Sequence, residues 1–246
     1  MPVSDNLIDR EEMPRFRELW KSIGPSMPKK GRAAGNALDP LSLPVELQTA
    51  LDALYGHYKK TYDLWQESGI SVPPCFIVVC NNTSSSKLVY DLISGFHKTK
   101  EDGSTEYIPG KLDLFCNYDE HGNPLAQPRT LLIDSEQLES GDALDKTFRE
   151  AASDEIERFR KEIVERTGDI SQGEKISDQD LLREVMNTVG KEGRLGGSIR
   201  CVVSVSMLTE GWDANTVTHV LGVRAFGTQL LCEQVIGRAL RRQSYD

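Results

Sequence analysis

The most regular feature of the chain is a helical spacing of apolar residues between positions 43 and 68. Apolar side chains recur there every three or four residues, as on one face of an α-helix. They are Leu47, Leu51, Leu54, Tyr55, Tyr58, Tyr62 and Trp65. Gly69 follows, and glycine is favoured directly after a helix. The spacing predicts a long helix over 43–68, with its aromatic stripe in the core, and a shorter helix over 5–22.

One continuous apolar run and three segments rich in apolar residues are predicted to form buried strands. They are 75–80, 129–134, 198–206 and 216–223, and helical spacing appears up to residue 96 and over 143–166, 178–190 and 228–242. Buried strands that alternate with helices predict an α/β fold, a parallel sheet with helices on both faces. The polar segment 98–129 is predicted to form one or two short strands around the turn at 121–123, on the surface.

The pattern divides the chain into a helical N-terminal extension or linker over 1–70 and an α/β domain over 71–246. Within that domain, residues 136–190 look like a charged helical insertion. Two interpretations remain for this insertion: a surface that contacts a partner subunit, or a solvated excursion, which we favour slightly.

Charge changes this picture because it is unevenly distributed. The chain of 246 residues has a net charge of -9, which argues against a general nucleic-acid binder. Residues 135–190 carry 8 basic and 15 acidic side chains, whereas residues 191–246 carry 7 and 5. The C-terminal stretch is thus the one that is net positive, and it concentrates three arginines in "GRALRR" (237–242).

Composition also limits where the protein is expected. The N-terminus lacks the apolar region of a signal peptide, and no apolar run is long enough for a membrane span. Five cysteines occur without a CxxC pair, and those in apolar runs suit buried free thiols. This usage predicts a reducing, cytoplasmic location, no zinc site and no membrane partner.

The predicted helix 228–242 separates its side chains into two faces. Gln234, Arg238 and Arg241 share one face. Gly237 lies in the middle, at a cost of about 1 kcal/mol relative to alanine, which suggests that another group approaches the backbone there. A simpler interpretation is that arginines at a helix end complement its macrodipole, but it leaves the glycine unexplained.

A second string, "TEGWDAN" (209–215), directly follows a buried strand. Ligands of open α/β sheets bind in loops after the carboxyl ends of strands. Gly211 allows a tight turn, and Asp213 can accept hydrogen bonds from a ribose hydroxyl or a water. Trp212 is better explained by packing.

The sequence "SVSMLTEGWDANTVTHVLGVRAFGTQLLCEQVIGRALRR" (204–242) resembles motifs V and VI of superfamily 2 helicases and translocases. Among them it is most similar to the helicase-like Res subunits of type III restriction enzymes. "CFIVVCNNTSSSKLV" (75–89) is similar to their motif IV region, and "TLLIDSEQLESGD" (130–142) to the strand after it. The resemblance implies the second of two RecA-like motor domains, the C-terminal one.

The resemblance also implies how the residues divide the work of ATP hydrolysis. ATP with Mg²⁺ would lie between two motor domains and be bound mainly by the first. Arg241 is the best candidate for an arginine finger, Arg238 for a second phosphate-facing arginine, and Gln234 for positioning the nucleotide or the attacking water. Gly211, Asp213 and Gly237 would line the nucleotide cleft, whereas the role of Arg242 stays open.

Double-stranded DNA would cross the top of both motor domains. Loop hydroxyls, backbone amides and helix N-termini hold phosphates in such complexes. The candidates here are Asn81, Asn82, Thr83 and Ser84, with Ser206 and Thr209 as weaker ones. Simple helix capping explains residues 81–84 equally well.

The chain lacks the other half of such a motor. It contains no G-x-x-x-x-G-K-[ST] phosphate loop, no acidic metal-binding motif, no convincing nuclease pattern and no residues at metal-ligand spacing. Asp134 superficially suggests a metal-binding aspartate, but its neighbourhood favours a structural role. We therefore expect part of a longer protein, inactive alone, which partners DNA, a first motor domain and a modification or specificity subunit.

Two other classes of function stay open at this point. One is a nucleic-acid-binding or protein-interaction module that has the same fold but no ATPase role. The other is an unrelated nucleotide-binding enzyme, in which Arg238 and Arg241 would bind a substrate phosphate.

Overall fold

A computed structural model describes residues 19–28, 39–100, 102–133, 149–150, 152–205 and 216–225. Its strands are β1 (Cys75–Cys80), β2 (Phe96–Thr99), β3 (Thr105–Ile108), β4 (Thr130–Ile133), β5 (Cys201–Ser204) and β6 (Val217–Val223). Its helices are α1 (Leu19–Ile23), α2 (Val45–Glu67), α3 (Thr83–Ser94), α4 (Ser153–Thr167), α5 (Ile170–Glu174) and α6 (Asp178–Asn187), and 3₁₀ turns lie at Pro40–Ser42 and Asp113–Phe115.

The four predicted strands form one sheet in the order β4-β5-β1-β6, and all three pairings are parallel. The α/β fold with a parallel sheet and helices on both faces is thereby confirmed. β1 is central and all six of its residues are buried, as its continuous apolar run predicts. Its last residue, Cys80, is level with Val223 at the end of β6, and Val79 is level with Ser204 at the end of β5.

The crossovers explain why helices cover both faces. From β1 the chain moves two places to the edge strand β4 through α3, and it returns one place to β5 through α4, α5 and α6. Right-handed crossovers in opposite directions place their helices on opposite faces. Accordingly, α3 contributes to one hydrophobic cluster and α6 to another.

The first cluster joins α2 to the sheet. The predicted helix over 43–68 is confirmed as Val45–Glu67, and Gly69 follows with φ +72°. Tyr58 of α2 is fully buried against β1, and its hydroxyl donates to the Pro74 carbonyl at 2.8 Å. Leu47 and Leu51 are buried in the same cluster as Phe76 of β1. The described part of the segment before residue 70 thus shares a core with the sheet.

The second cluster corrects the expectation of a solvated excursion in 136–190. Four residues of α6 are buried against the other face of the sheet together with Ile156 of α4: Leu181, Leu182, Val185 and Met186. Ser177 caps α6: its hydroxyl accepts from the Asp180 amide at 3.2 Å in a capping box. Charge dominates the composition of this segment, but its apolar stripe supplies a layer of the core. The predicted break between its helices contains the short helix α5.

The segment 98–129 also differs from its prediction. A two-stranded antiparallel hairpin forms earlier, between β2 and β3, because Gly95, with φ +93°, ends α3 before Phe96. Around the turn at Gly122 the described structure has a single bridge, between Tyr118 and Pro124. Phe115 in the 3₁₀ turn is fully buried against Tyr58, with ring centroids 4.6 Å apart. Part of the segment therefore belongs to the core and not to the surface.

Candidate functional site

The candidate site is the carboxyl edge of the parallel sheet. Residues 81–85 follow β1, Val205 follows β5, and residues 224–225 follow β6. Because β5 and β6 flank β1 on either side, these three segments meet at one edge. The described residues that follow β5 and β6 are Val205, and Arg224 with Ala225.

Asn82 is a structural residue at this edge. It caps α3: its Oδ1 accepts from the Ser85 amide at 2.8 Å, while its backbone is extended with φ -159°. Its Nδ2 donates to the Pro28 carbonyl at 2.7 Å, and the side chain is 7% exposed. Both ends of the amide are therefore used within the fold. The capping alternative is confirmed for Asn82, and its role in DNA binding stays a prediction.

Thr83 and Ser84 form the first turn of α3 and are half-buried. Two of the first four amides of α3 are used within the fold: that of Ser85 donates to Asn82 Oδ1 and that of Ser86 to the Asn82 carbonyl, which leaves those of Thr83 and Ser84. The helix dipole makes this end attractive to anions. A threonine and a serine hydroxyl stand beside those amides. Together they offer neutral hydrogen-bond donors of the kind that hold a phosphate.

Asn81 precedes the cap and is half-buried. Its Oδ1 is shielded from water and accepts no hydrogen bond. Buried side-chain oxygens are normally hydrogen-bonded, so this atom is unusual. The fully buried Ser85, four residues further on, also has a hydroxyl without a partner.

Arg224 was not singled out from the sequence, and the structure adds it to the site. It is the first residue after β6, and its Nε is buried without an acceptor. Since Val223 is level with Cys80, Arg224 follows β6 where Asn81 follows β1, on the adjacent strand. A lone charged side chain directly after a buried strand was the available sequence signal. Its partners on other strands could not be read from the sequence.

Most buried polar atoms without a hydrogen-bond partner in the described structure lie at the carboxyl edge of the sheet. Of the four buried side-chain N or O atoms without a partner in the described part of the chain, three lie here: Asn81 Oδ1, Ser85 Oγ and Arg224 Nε. The fourth is Thr216 Oγ1, at the start of β6. Each such atom costs about 1–3 kcal/mol if nothing binds it. Their positions make this edge the candidate binding site.

The donor set of this edge suits one kind of ligand. Among the described residues 81–85, 205 and 224–225, there are hydroxyls, first-turn amides and a guanidinium, and there is no carboxylate. Such groups fit phosphate oxygens, whereas Mg²⁺ prefers carboxylate and water oxygens. The donor set of the described residues thus suits a phosphate better than a metal ion.

The remaining predicted site residues lie outside the described residues. These are Gln234, Arg238 and Arg241, then Gly211, Asp213 and Gly237, and finally Ser206 and Thr209. Ser204, the last residue of β5, is fully buried and lies shortly before Ser206 in the sequence. The assignments of these residues stay predictions.

The cysteines and the histidine of the sheet strands pack in the hydrophobic core. Burial raises the pKa of the Cys80 thiol, and Cys75, Cys80 and Cys201 are free and buried, as the sequence predicts. His219 in β6 stacks on Phe76 with ring centroids 5.8 Å apart and an interplanar angle of 3°. Burial, with a smaller effect of His57, lowers the pKa of His219 to about 4. Its ring is therefore neutral at pH 7.

Two cavities of the described structure lie away from the carboxyl edge. A cavity of about 590 Å³ lies at the opposite edge of the sheet, beside Trp65, Val189 and Thr216, and one of about 580 Å³ lies between α4 and α5. Neither includes a residue of the carboxyl edge. Among the described residues no group of three or more His, Cys, Asp or Glu side chains comes together for a metal. No helix in this part of the chain is long and apolar enough to cross a membrane.

Comparison with known proteins gives no relative. The chain matches no family model, no curated protein and no solved structure. The candidate function must therefore be argued from this edge of the sheet and from the sequence motifs.

Proposed function

We propose that this chain is the second motor domain of an ATP-dependent DNA helicase or translocase of superfamily 2, related to the Res subunits of type III restriction enzymes. One observation carries the proposal. In the sequence, the segments that carry motifs V and VI follow Val205 and Ala225, and these two described residues lie at the carboxyl ends of β5 and β6, the strands that flank β1. Val205 and Ala225 are therefore at the same edge as the N-terminus of α3.

The proposal assigns the two halves of that edge to two ligands. Thr83 and Ser84, through their hydroxyls and amides, hold phosphates of double-stranded DNA, and Ser206 and Thr209 are assigned the same task. Asn82 holds the turn in place through its two hydrogen bonds. Neutral donors suit this chain, since its net charge of -9 repels DNA at long range.

The other half of the edge faces the nucleotide. Arg241 and Arg238 neutralise negative charge on the terminal phosphate during transfer, and Gln234 orients the nucleotide or the attacking water. Gly211, Asp213 and Gly237 line the cleft. ATP supplies the phosphoryl group, with Mg²⁺ held by the first motor domain. This chain contributes positive charge and position, and by itself it completes no active site.

Reconstitution tests the proposal. The 246-residue chain should not hydrolyse ATP, with or without duplex DNA, because the phosphate loop and the acidic motif are missing from its sequence. In the intact two-domain protein, DNA-stimulated turnover should appear, and Arg241→Ala should lower it by about 10³-fold or more. Steady-state phosphate release measures both.

Arg160→Ala is the matched control, because Arg160 lies on the exposed side of α4 and its removal changes net charge equally. It should leave turnover unchanged. Turnover by the chain alone, or full turnover by Arg241→Ala, would overturn the assignment. An intact protein that binds DNA without hydrolysing ATP would instead support the alternative, a nucleic-acid-binding module with this fold.

A further inference from the structure

The carboxyl edge of the sheet contains a charged group that the sequence motifs do not explain. Arg224 is half-buried, and its Nε has no acceptor and no contact with water. A buried N–H donor without an acceptor is costly, because it loses its contact with water and gains no hydrogen bond in return.

The neighbour of Arg224 has a complementary deficiency. Asn81 Oδ1 is an acceptor without a donor, and Arg224 Nε is a donor without an acceptor. The two residues follow strand ends that are level with each other, and adjacent strands lie roughly 5 Å apart. A small movement of the guanidinium would let Nε–H donate to Asn81 Oδ1. Its two Nη groups would then be free to face another molecule.

The surroundings define what that molecule carries. Among the described residues of this edge, 81–85, 205 and 224–225, Arg224 is the one charged side chain and none is a carboxylate. The first turn of α3 begins two residues after Asn81 and adds amides and hydroxyls. A guanidinium beside such donors fits a tetrahedral anion through paired N–H···O bonds.

We propose that Arg224 binds a phosphate group at the carboxyl edge of the sheet and that Asn81 is its positioning residue. This inference deepens the proposed function, on which it rests for the source of the phosphate. Duplex DNA and the polyphosphate chain of ATP carry the same group, and the two can be distinguished by experiment. The absence of internal partners follows directly: the Arg224 guanidinium is held for the phosphate, and Asn81 Oδ1 is held for Arg224.

The experiment uses the full chain and four variants. Arg224→Met removes the guanidinium, Arg224→Lys keeps the charge, and Asn81→Ala removes the acceptor. Arg160→Gln, on the exposed side of α4, is the matched loss of one positive charge. The probes are a 20-base-pair duplex, measured by fluorescence anisotropy at several salt concentrations, and sodium tripolyphosphate, measured by calorimetry.

Arg224→Met should weaken binding of one probe by roughly tenfold or more, and Arg224→Lys by less. If the duplex is affected, the slope of log K against log salt should also fall by about 0.9, which identifies DNA as the source. If tripolyphosphate alone is affected, the nucleotide is the source. Asn81→Ala should weaken the same probe but add nothing in the Arg224→Met background, because it acts through Arg224.

Thermal unfolding separates binding from a structural role. Removing a buried donor that has no partner should not destabilise the fold, so the Tm of Arg224→Met should equal or exceed that of the wild type. A lower Tm together with unchanged binding of both probes would overturn the inference and make Arg224 structural. If Arg224→Met binds both the duplex and tripolyphosphate as tightly as the wild type does, the inference is overturned and the proposed function is left intact. If tripolyphosphate binds through Arg224 but the intact protein has no ATPase activity, the inference is supported and the proposed function is contradicted.

Discussion

At the scale of the residue, the described structure separates polar groups that serve the fold from those that do not. Asn82 uses both ends of its amide, towards Ser85 and Pro28. Asn81, directly before it, uses its Oδ1 for nothing within the chain. The two asparagines look equivalent in the sequence, and only their neighbours in space distinguish them. The sequence could therefore predict the cap but not which of the two residues is available.

His219 shows the same dependence on surroundings, and it leads to a prediction. Its pKa is lowered to about 4, first by burial, from an ordinary value of 6.5. Below pH 6.5 the unfolded chain binds a proton that the folded chain excludes. Stability from this group is therefore complete above pH 6.5, falls with pH through this window and is lost below about 4. Because the ring keeps some contact with water, we expect only about 1–2 kcal/mol.

His219→Phe tests this expectation, since phenylalanine preserves the stack on Phe76. Between pH 7.5 and 4.5, the free energy of unfolding in urea should fall by about 1–2 kcal/mol less in the variant than in the wild type. His121→Gln, on an exposed turn, is the control and should follow the wild type. Equal pH dependence in the wild type and in His219→Phe would contradict the prediction.

At the scale of the element, periodic patterns predicted what depends on local sequence. The spacing over 43–68 and the run 75–80 identified α2 and β1, because one face or both faces of each are buried. The sequence pattern does not predict the hairpin of β2 and β3, because its strands are mostly exposed and carry no apolar alternation. The spacing predicts the helix α6 but not its burial, because charged residues outnumber the apolar ones in the segment 136–190 and only four residues of α6 form its apolar stripe.

The packing of α6 can be measured. Leu182 is completely buried in the cluster on its face of the sheet. Leu182→Ala should lower the free energy of unfolding by about 2–5 kcal/mol, from lost burial and the cavity left behind. Ile170→Ala, in the same charged segment but 70% exposed, should change it by no more than about 0.5 kcal/mol. Urea denaturation compares the two. A small effect at both positions would restore the solvated excursion.

At the scale of the whole molecule, the distribution of charge decides how the chain can meet DNA. The chain is acidic overall, and the basic excess lies in its last fifty-six residues. The described carboxyl edge offers mostly neutral donors, from the first turn of α3. Cations release counterions from DNA when they bind, whereas neutral donors release none. Affinity from α3 should therefore be nearly independent of salt, unlike affinity from arginines.

This difference gives a prediction about the first turn of α3. The double variant Thr83→Val with Ser84→Ala removes two hydroxyls and no charge, and both residues are half-buried beside an intact Asn82 cap. Each lost hydrogen bond is worth about 0.5–1.5 kcal/mol, so duplex affinity should fall by roughly 5- to 150-fold. The slope of log K against log salt should stay that of the wild type. Anisotropy titrations at several salt concentrations measure both quantities, with Lys87→Gln, an exposed charge on the same helix, as the control. Unchanged affinity in the double variant would remove α3 from the DNA surface and leave its polar turn as a helix cap alone.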